Sequence, residues 1–575
     1  MDNIIETKRA TRTNRILALA TGILFGCSFP PFPLGVLACV SLVPLLLLIE
    51  RLGSLRKQIL YSYISFFIAS CIALYWVGGY THARDPYLML GGGLVLVWEP
   101  FFFSLIVLVY LAIRRSCGLA VGLAALPFVW VTFEWLHAVG EFSFPWLTLG
   151  NSQTYQLGKI QFAEYTGVYG ISLWILVINV LFFLLLVRLL RDPENRSLKQ
   201  NMYLGAAIVV IYLLPDLYSS TIDENRFTNP ASTKLNIAVV QPNLDPWEKW
   251  GGGSSAQARW GMVDRMISMT RRLEKRGVQL AIWPETAILF DLPTYWQDYS
   301  RFKAEIDSLG ISIVSGYASF QFYGETDAPT SSSVIRGTSV HYDSYNSIFF
   351  VQPHDQRFQR YAKMRLVPFA ERIPYANAVP FLIEPLRWSV GISNWGIGKD
   401  STVFNDAIDH SQFLAMVCYE SIFPEYVGSF VKRGAQYLIF ITNDSWWGNT
   451  SGARQHNQFA ILRSIENRRW VVRCANGGIS SFIDPMGKMF DATQMYTETV
   501  ISRAIEPRSE QTFYTKHGDW LARASGAISV LFLFASLFSR VLKNPHREKD
   551  EPLPKGSLWD KTPRTRRKIV EMRKK

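Results

Sequence analysis

Long apolar stretches alternate with short polar segments through the first 220 residues, and one more apolar stretch follows near the carboxyl terminus. A helix of about 20 apolar residues spans a bilayer, and somewhat shorter stretches are tolerated. Eight stretches come near this length, and we interpret each as a transmembrane helix. They cover 15–30, 34–50, 58–78, 87–113, 117–138, 169–190, 202–219 and 521–540.

The first apolar stretch resembles a signal peptide in its position and charge. Six further spans follow it directly, and no small-residue cleavage site stands out after it. We therefore expect a retained helix.

The pattern changes between 231 and 508, where apolar runs become shorter and each ends on polar or turn residues. Seven of these runs are strand candidates: 235–243, 278–285, 311–319, 345–353, 413–420, 437–444 and 469–476. Helical patterns lie at 255–276, 424–433 and 453–467, and "DPMGK" at 484–488 predicts a turn. Strands that alternate with helices indicate an α/β domain with an open or sandwiched sheet.

The loops differ in their content of lysine and arginine. The amino-terminal segment and the second, fourth and sixth loops each hold two to four Lys or Arg, whereas each odd-numbered loop holds at most one. Because cytoplasmic loops are enriched in these residues, we expect the amino terminus in the cytoplasm. Seven crossings then place 231–508 outside, in the periplasm or its equivalent, and the eighth helix returns the chain to the cytoplasm.

The segment 541–575 holds 12 Lys or Arg against 5 Asp or Glu, and we expect a disordered tail near the lipid surface. The chain thus divides into a membrane region (1–220), a soluble domain (231–508), an eighth helix (521–540) and this tail. A net charge of +13 would also suit nucleic-acid binding. The positive charges are concentrated beside the membrane spans, and this location accounts for the net charge. We therefore expect no nucleic-acid partner.

Six cysteines occur, and the first four lie in or beside apolar runs without the spacing of a metal site or a disulfide framework. The soluble domain holds Cys418 and Cys474. An isolated cysteine is most often a small buried hydrophobe, which is the first interpretation of "FLAMVCYESIFPE" at 413–425. We expect Cys474 to be buried at a strand end and to form no disulfide with Cys418, although an oxidising compartment would permit one.

Three strand candidates end on reactive or polar residues, namely Glu285, Cys418 and the pair Asn443-Asp444. Such groups gather where the strands of an α/β sheet end. Lys363 stands in the loop-like segment "RYAKMRLVPFAERIPY". These positions raise the question of whether the residues act together.

A thiol needs a base or a nearby cation, because little of it is ionised at neutral pH. A carboxylate in a partly dry pocket can accept its proton, and a lysine can lower its pKa and then stabilise an oxyanion. Glu, Lys and Cys together therefore suffice for acyl transfer without histidine, metal or cofactor. Each also has a plainer explanation, as a solvated strand end, a surface charge or a core residue.

Four segments resemble the carbon–nitrogen hydrolase (nitrilase) superfamily: "IWPETA", "YAKMRLVPFAERIP", "MVCYESIFPE" and "ITNDSWWGNTSGARQHNQFAILRSIENRRWVVRCANGGISSFIDPMG". In that superfamily Glu, Lys and Cys follow in this order on an αββα sandwich. The preceding helices, "FPWLTLGNSQ" at 144–153 and the last helix resemble a narrower family, the bacterial apolipoprotein N-acyltransferases. The resemblance extends to about residue 540 and does not include the tail.

The resemblance implies a role for each member of the set. Glu285 matches the general base, Lys363 the lysine that stabilises the oxyanion, and Cys418 the nucleophile. Glu371, eight residues after Lys363, matches a further acid that orients the site.

The same resemblance marks residues around this set. Tyr419 and Glu420 match residues beside the nucleophile, with Tyr419 placed to lend a backbone N–H. An aromatic residue near the substrate entrance is matched by Trp247 or Trp250.

Two further polar residues are weaker candidates. Asn443 is either a turn former or a substrate-binding residue. Glu134 lies at membrane depth, where an acid is a functional candidate, but it could instead pair with His137 inside the bundle.

The implied reaction is ping-pong. Cys418 takes a fatty acyl chain from a membrane phospholipid as a thioester, and the α-amine of the diacylglyceryl-cysteine of an apolipoprotein then accepts it. The partners expected are therefore a phospholipid donor, a diacylated apolipoprotein acceptor and membrane lipid, with the enzyme as a monomer and without metal or cofactor. A membrane-tethered amidase that passes the acyl group to water, and a non-catalytic membrane protein, are the alternatives.

Overall fold

The structure is a computed structural model, and it describes residues 2–79, 85–191, 198–227, 234–251, 256–335, 337–383, 385 and 394–542. The basic tail expected over 541–575 lies outside these residues apart from its first two positions. The described chain is helical as far as Ser220, and two sheets with further helices follow.

The helices are, in chain order, α1 (Asp2–Gly26), α2 (Val43–Arg51), α3 (Leu55–Ala73), α4 (Pro86–Cys117), α5 (Leu119–Leu136), α6 (Leu157–Ile160), α7 (Ala163–Arg191), α8 (Leu198–Ser220), α9 (Pro246–Gly251), α10 (Ala256–Arg271), α11 (Trp296–Leu309), α12 (Pro424–Lys432), α13 (Ser451–Asn467), α14 (Phe513–His517) and α15 (Trp520–Leu542). The strands are β1 (Leu235–Gln241), β2 (Leu280–Ile282), β3 (Ser312–Tyr323), β4 (Ser333–Val334), β5 (His341–Val351), β6 (Gln359–Ala362), β7 (Phe404–Asn405), β8 (Gln412–Val417), β9 (Tyr437–Thr442), β10 (Val471–Ala475), β11 (Ser481–Ile483), β12 (Met489–Phe490) and β13 (Thr499–Ile505).

Five helices of the described chain are long and apolar enough to cross a membrane: α4, α5, α7, α8 and α15. The predicted count of eight is therefore not confirmed. The second predicted span, 34–50, is a 3-10 turn over Gly35–Val40 followed by the nine-residue α2. Nine residues of helix reach only about 13 Å, less than half of a bilayer core of about 30 Å.

The helices of the bundle pack through aromatic side chains and through glycine. The rings of Phe25, Phe66, Phe103 and Trp130 lie 4.8 to 6.3 Å apart between centroids, which joins α1, α3, α4 and α5. Gly22 lets α1 approach α3 closely, since a Cβ there would lie 2.6 Å from Ile68. Apolar side chains on α8 and α15 point outward, as a lipid environment favours.

The two sheets lie face to face. The first has the order β13-β1-β2-β3-β5-β4 with β6 also paired to β5, and the second has the order β12-β11-β10-β9-β8-β7. Strands β1, β2 and β3 run parallel in the first sheet, and β8, β9 and β10 run parallel in the second. Phe350 on β5 and Phe413 on β8 meet at 5.1 Å between ring centroids in the core between the sheets.

Helices cover both outer faces of this sandwich. Helices α10 and α11 pack on the first sheet, and α12 and α13 pack on the second. The layers are therefore αββα, as the resemblance implied. All seven strand candidates and the three helical patterns are confirmed, whereas α11 and β13 had no clear signal in the sequence.

The sandwich rests on the loops of the helix bundle through α13. Gln455 of α13 donates from Nε2 to the carbonyls of Pro30 and Ala73, at 2.7 and 3.0 Å. Its Oε1 accepts from the indole N–H groups of Trp76 and Trp146, at 2.9 and 2.8 Å. One buried amide thus joins three separate loops of the bundle to the sandwich.

Candidate active site

Cys418 lies directly after β8, where the strand ends and a short 3-10 turn, Cys418–Ile422, begins. Its φ of 49° is in the left-handed region, which a side chain with a Cβ rarely adopts. The residue is 8% exposed. This sharp change of direction presents the thiol at the edge of the sheet rather than in its core.

Glu285 follows β2 in the facing sheet and accepts a hydrogen bond at Oε1 from Asn346 Nδ2, at 2.7 Å. Among the described residues no hydrogen bond reaches its other carboxylate oxygen, Oε2. Burial raises the pKa of this carboxyl, while the nearby Lys363 lowers it in part. The group is therefore a stronger proton acceptor than an ordinary carboxylate, which suits a general base.

Lys363 follows β6, and its Nζ lies 2.8 Å from Glu371 Oε1 and 3.8 Å from Glu285 Oε1. The residue is 1% exposed. Burial alone would lower its pKa, but the two carboxylates outweigh burial and raise it. The lysine is consequently a permanent cation between two acids.

Glu371 holds this cation in place. Its Oε1 accepts from Lys363, and its Oε2 accepts from the Val367 N–H at 2.8 Å. Both oxygens of Glu371 are thus engaged, in contrast with Glu285.

The thiol of Cys418 is not preformed as a thiolate. Burial raises its pKa well above the ordinary value, Glu285 adds to this, and Lys363 opposes it. A thiol in this state needs a base to take its proton as it attacks, which is the function that a carboxylate with a free oxygen can serve.

Glu420 points away from the thiol and is fully buried. Its Oε2 accepts from the Val417 N–H of β8 at 3.0 Å. Its Oε1 accepts from the hydroxyls of Tyr361 and Tyr426 and from the N–H groups of Met364 and Arg365. Glu420 thereby ties the end of β8 to the segment that carries Lys363.

Tyr419 connects the site to the helix bundle. Its hydroxyl donates to the carbonyl of Ser143 at 2.7 Å, and its ring stacks near Trp146 at 6.4 Å between centroids. The side chain of Tyr419 therefore contacts the bundle, and its backbone N–H belongs to the second residue of the turn that begins at Cys418.

A second polar group lies behind Cys418. His456 of α13 places Nε2 at 3.1 Å from the Cys418 carbonyl oxygen and Nδ1 at 2.9 Å from Asp444 Oδ1. The Asp444 carboxylate also contacts Arg473. The thiol, the imidazole and the Asp444 carboxylate offer ligand atoms within 4.8 Å of one another. Asp444 is already paired with Arg473, and His456 already contacts Asp444. This set of donors therefore does not favour binding of a metal cation.

The remaining candidates lie near the site or in the bundle. Trp247 packs against Trp446 at 5.1 Å and Trp250 against Trp395 at 6.0 Å between ring centroids. Asn443 accepts from Asn476 Nδ2 at 3.1 Å.

Glu134 does not pair with His137. Its Oε1 accepts from Trp130 Nε1 at 3.0 Å and from the Leu149 N–H at 2.8 Å, whereas His137 lies 3.3 Å from Glu99. The pairing considered from the sequence is therefore wrong. Sequence spacing suggested a neighbour one turn away, but the fold of the following loop brings a backbone N–H instead.

Sequence reasoning missed Asn346, Lys249 and His456. Lys249 is buried and donates from Nζ to the Glu285 carbonyl at 3.1 Å and to Thr286 Oγ1 at 2.9 Å. Burial lowers the pKa of Lys249 to about 7. Glu285 and Cys418 were selected because each ends a strand candidate. Asn346, Lys249 and His456 do not end one, so the same criterion could not identify them.

Two family profiles match the chain. The family described as the apolipoprotein N-acyltransferase N-terminal domain matches residues 21–181, and carbon-nitrogen hydrolase matches residues 236–514. An amidase from Nesterenkonia sp. is similar in structure over 49% of this chain and 95% of its own, at 15% identity. Its TM-score of 0.34 is too low to support an argument about the reaction.

Relatives in sequence extend over almost all of the chain. An apolipoprotein N-acyltransferase of Chlorobaculum tepidum is 35% identical over 544 residues, which is 91% of this chain and 97% of the relative. One of Geobacter metallireducens is 28% identical over 91% of this chain and 96% of its own. Both the helix bundle and the sandwich are therefore shared with these proteins, and the chain belongs to the apolipoprotein N-acyltransferase family.

Proposed function

We propose that the chain transfers a fatty acyl chain from a membrane phospholipid to the α-amine of the diacylglyceryl-cysteine of an apolipoprotein. The observation that carries this proposal is a buried thiol beside a lysine that pairs with two acids and beside a carboxylate, one oxygen of which accepts no hydrogen bond from the described residues. The relatives named apolipoprotein N-acyltransferase support it, as does the apolar helix bundle on which the site rests.

In the first half-reaction Glu285 takes the proton of the Cys418 thiol, and the sulfur attacks the ester carbonyl of the phospholipid. The positive charge of Lys363 and the N–H of Tyr419 stabilise the oxyanion. When the intermediate collapses, the C–O bond breaks and the lysophospholipid oxygen takes the proton back from Glu285. A thioester on Cys418 remains.

In the second half-reaction the neutral α-amine of the lipoprotein attacks the thioester carbonyl. Glu285 accepts a proton from the attacking nitrogen, the C–S bond breaks, and the proton passes to the Cys418 sulfur. The product is an amide, and the free thiol is restored. No metal or cofactor takes part in this proposal.

The neighbouring residues have supporting roles in the proposal. Glu371 and Glu420 position Lys363 and the end of β8, through the contacts described above. Trp247 and Trp250 border the substrate entrance. Asn443 has a buried Nδ2 without a partner among the described residues, which suits a hydrogen bond to substrate. For Glu134 we propose a structural role, because Trp130 and Leu149 occupy its Oε1.

We also propose the membrane arrangement. From the loop charges we propose that the amino terminus lies in the cytoplasm of a bacterial inner membrane and residues 231–508 in the periplasm, which requires an odd number of crossings within 1–220 and one more at 521–540. Both substrates are then anchored in the leaflet that faces the site. Moving an acyl chain into water costs about 0.8 kcal/mol for each CH₂, which a site seated on the bundle avoids. The enzyme acts as a monomer in this arrangement.

The proposal is tested by exposing the purified full-length protein to phospholipid and searching for a fatty acyl adduct by mass spectrometry. We expect a thioester on Cys418 that a diacylated lipopeptide then discharges as an amide. Absence of the adduct would contradict the covalent mechanism. Unchanged acylation of lipoproteins in cells that carry Cys418→Ala would favour a non-catalytic membrane protein.

The amidase alternative uses the same residues, and the products separate the two. If free fatty acid is the main product when lipopeptide is present, the acyl group passes to water and the transferase proposal fails. An N-acylated lipopeptide as the main product supports the transferase.

A further inference from the structure

We infer that His456 is a positioning residue of the proposed reaction: it holds the Cys418 carbonyl and thereby aims the Tyr419 N–H at the oxyanion. The inference rests on the proposed function. It assigns a role to a histidine that neither the general base nor the oxyanion-stabilising lysine requires.

The peptide between Cys418 and Tyr419 is the part of the site that most needs support. The φ of 49° at Cys418 costs about 1 to 2 kcal/mol relative to ordinary backbone. Such a conformation persists only where surrounding contacts determine it. Tyr419 is the second residue of its turn, where an N–H has no carbonyl within the helix to bond. Its direction is therefore set by whatever fixes the carbonyl on the other side of the same planar peptide.

Two side chains hold that carbonyl. Ser421 Oγ donates to it at 2.8 Å, and His456 Nε2 lies 3.1 Å from it. A carbonyl oxygen only accepts, so Nε2 is the donor in this contact. Ser421 belongs to the same short turn, whereas His456 comes from α13 and fixes the peptide relative to the rest of the sandwich.

The imidazole is itself fixed from its other side. A neutral imidazole has a single N–H, and burial lowers the pKa of His456, so with Nε2 as the donor Nδ1 is an acceptor, and Arg473 Nη2 lies 3.2 Å from it. Asp444 Oδ1 lies 2.9 Å from the same nitrogen and accepts from Thr442 Oγ1 at 2.7 Å. Burial would raise the pKa of Asp444, but Arg473 lowers it to about 2, so the carboxylate stays ionised and holds Arg473 against the ring. His456 and Asp444 are both fully buried, which leaves the ring no freedom to turn.

A competing role for His456 is that of the base for Cys418, as in a Cys-His-Asp arrangement. The contacts disfavour it. One nitrogen faces Asp444 and the other faces the Cys418 carbonyl and Ser421 Oγ, so neither is free for the thiol proton. Near the thiol, Glu285 Oε2 is a carboxylate oxygen that accepts no hydrogen bond from the described residues.

Two reactions of the same thiol separate these roles. Alkylation by iodoacetamide forms a C–S bond and expels iodide, and it passes through no carbonyl oxyanion. Acylation by a phospholipid does form an oxyanion. A residue that aims an oxyanion donor therefore affects acylation alone, whereas a base affects both reactions.

The experiment compares the full-length wild type with His456→Ala and His456→Gln in mixed micelles of detergent and phosphatidylethanolamine. Single-turnover acylation of Cys418 and its alkylation by iodoacetamide are each followed by mass spectrometry. We expect His456→Ala to slow acylation by roughly 100-fold, the size of a lost oxyanion donor, with alkylation within about twofold of wild type. His456→Gln keeps an N–H donor on a side chain of similar reach and should recover part of the acylation rate.

Two controls accompany these variants. Glu285→Gln should slow both reactions, which shows that the alkylation assay detects loss of a base. His354→Asn changes an exposed histidine whose positive φ asparagine tolerates, and it should leave both rates within about twofold of wild type.

If alkylation and acylation slow to the same extent in both His456→Gln and His456→Ala, the inference is overturned. A role of His456 as the base, or a general structural role, would then explain the loss of both rates. Unchanged acylation in His456→Ala would overturn the inference too. If the wild type is alkylated but forms no acyl adduct, the proposed function itself fails, and this outcome is distinct from the other two.

Discussion

Glu285 and Glu371 flank the same lysine but differ in how many of their oxygens are engaged. Glu371 uses both, one for Lys363 and one for the Val367 N–H. Glu285 uses only Oε1 among the described residues. The difference supports the proposal that Glu285 transfers the proton and Glu371 holds the cation.

Replacing each acid by its amide tests this assignment. Glu285→Gln removes the base, and we expect acylation of Cys418 to slow roughly 100-fold or more. Glu371→Gln keeps a hydrogen-bond acceptor for Lys363 and should slow it roughly tenfold. Single-turnover rates of adduct formation measure both. Equal losses in the two variants would contradict the division of roles.

Lys249 should influence the pH dependence through Glu285. Burial raises the pKa of Glu285, and the charge of Lys249 lowers it in part. The base is lost when it is protonated, so activity falls on the acid side of a raised pKa. Lys249→Met removes a cation and should move this acid limb of kcat/KM to higher pH, with kcat reduced several-fold as two hydrogen bonds to the Glu285 segment are lost.

The matched control for Lys249→Met is Lys488→Met, which alters an exposed lysine of the turn after β11. Its pH profile should coincide with that of the wild type. A Lys249→Met profile that also coincides would show that Lys249 does not act on the base.

At the scale of elements, Glu420 joins β8 to the segment after β6, two parts of the chain that carry the thiol and the lysine. Its two oxygens accept from three backbone N–H groups and two tyrosine hydroxyls. An amide in its place would point an NH₂ group at one of these donors. The connection between β8 and the segment after β6 therefore requires the carboxylate of Glu420, because a glutamine of the same shape could not accept all of these hydrogen bonds.

We expect Glu420→Gln to destabilise the protein by about 2 kcal/mol, the cost of leaving buried donors unpaired. Thermal unfolding in detergent would measure this. Glu498→Gln breaks an ion pair with Arg265 at the surface and should cost less than about 1 kcal/mol. A Glu420→Gln variant as stable as this control would contradict the role of Glu420 as a structural join.

Gly167 interrupts α7 with φ 62° and ψ −171°, at the point where the helix leaves the sandwich. A Cβ there would lie 2.4 Å from the ring of Tyr514, whose hydroxyl donates to Asp519 at 2.6 Å. Gly167→Ala should therefore destabilise the protein by about 2 kcal/mol or more.

Gly205 of α8 offers the comparison for Gly167, because its φ is not positive and a Cβ there meets nothing within 4 Å. Gly205→Ala should be neutral or stabilising by up to about 1 kcal/mol, since alanine favours helix. Both effects are read from thermal unfolding. A neutral Gly167→Ala would show that Tyr514 moves aside without cost.

Local patterns predicted most of the sandwich because its central strands are apolar runs, buried on both faces, that end on polar residues. The strands that carry Glu285 and Cys418 are examples, and the order of the motifs predicted the layers. The same signal failed for 34–50, where apolar content suggested a span but Gly35–Val40 forms a 3-10 turn. Contacts between distant segments gave no signal at all: Asn346 and His456 reach the site from a mid-strand position and from a helix face.

At the scale of the whole molecule, the site is part of the surface where the sandwich meets the bundle. Tyr419, next to the thiol, donates to Ser143 in a loop of the bundle, and Trp146 from the same region packs near His456 at 5.7 Å between ring centroids. Movements of these loops would therefore be transmitted to the residues beside Cys418. A reaction between two lipid-anchored substrates suits such a position.

The amide of Gln455 has a practical consequence for anyone who wishes to study the sandwich in isolation. All four of its partners, Pro30, Ala73, Trp76 and Trp146, belong to the bundle, and the indoles also cover apolar rings of the sandwich such as Trp447 and Phe459. Cutting the chain near residue 230 would bare this aromatic patch to solvent. The excised fragment would be prone to self-association, so the sandwich is better purified with its bundle attached.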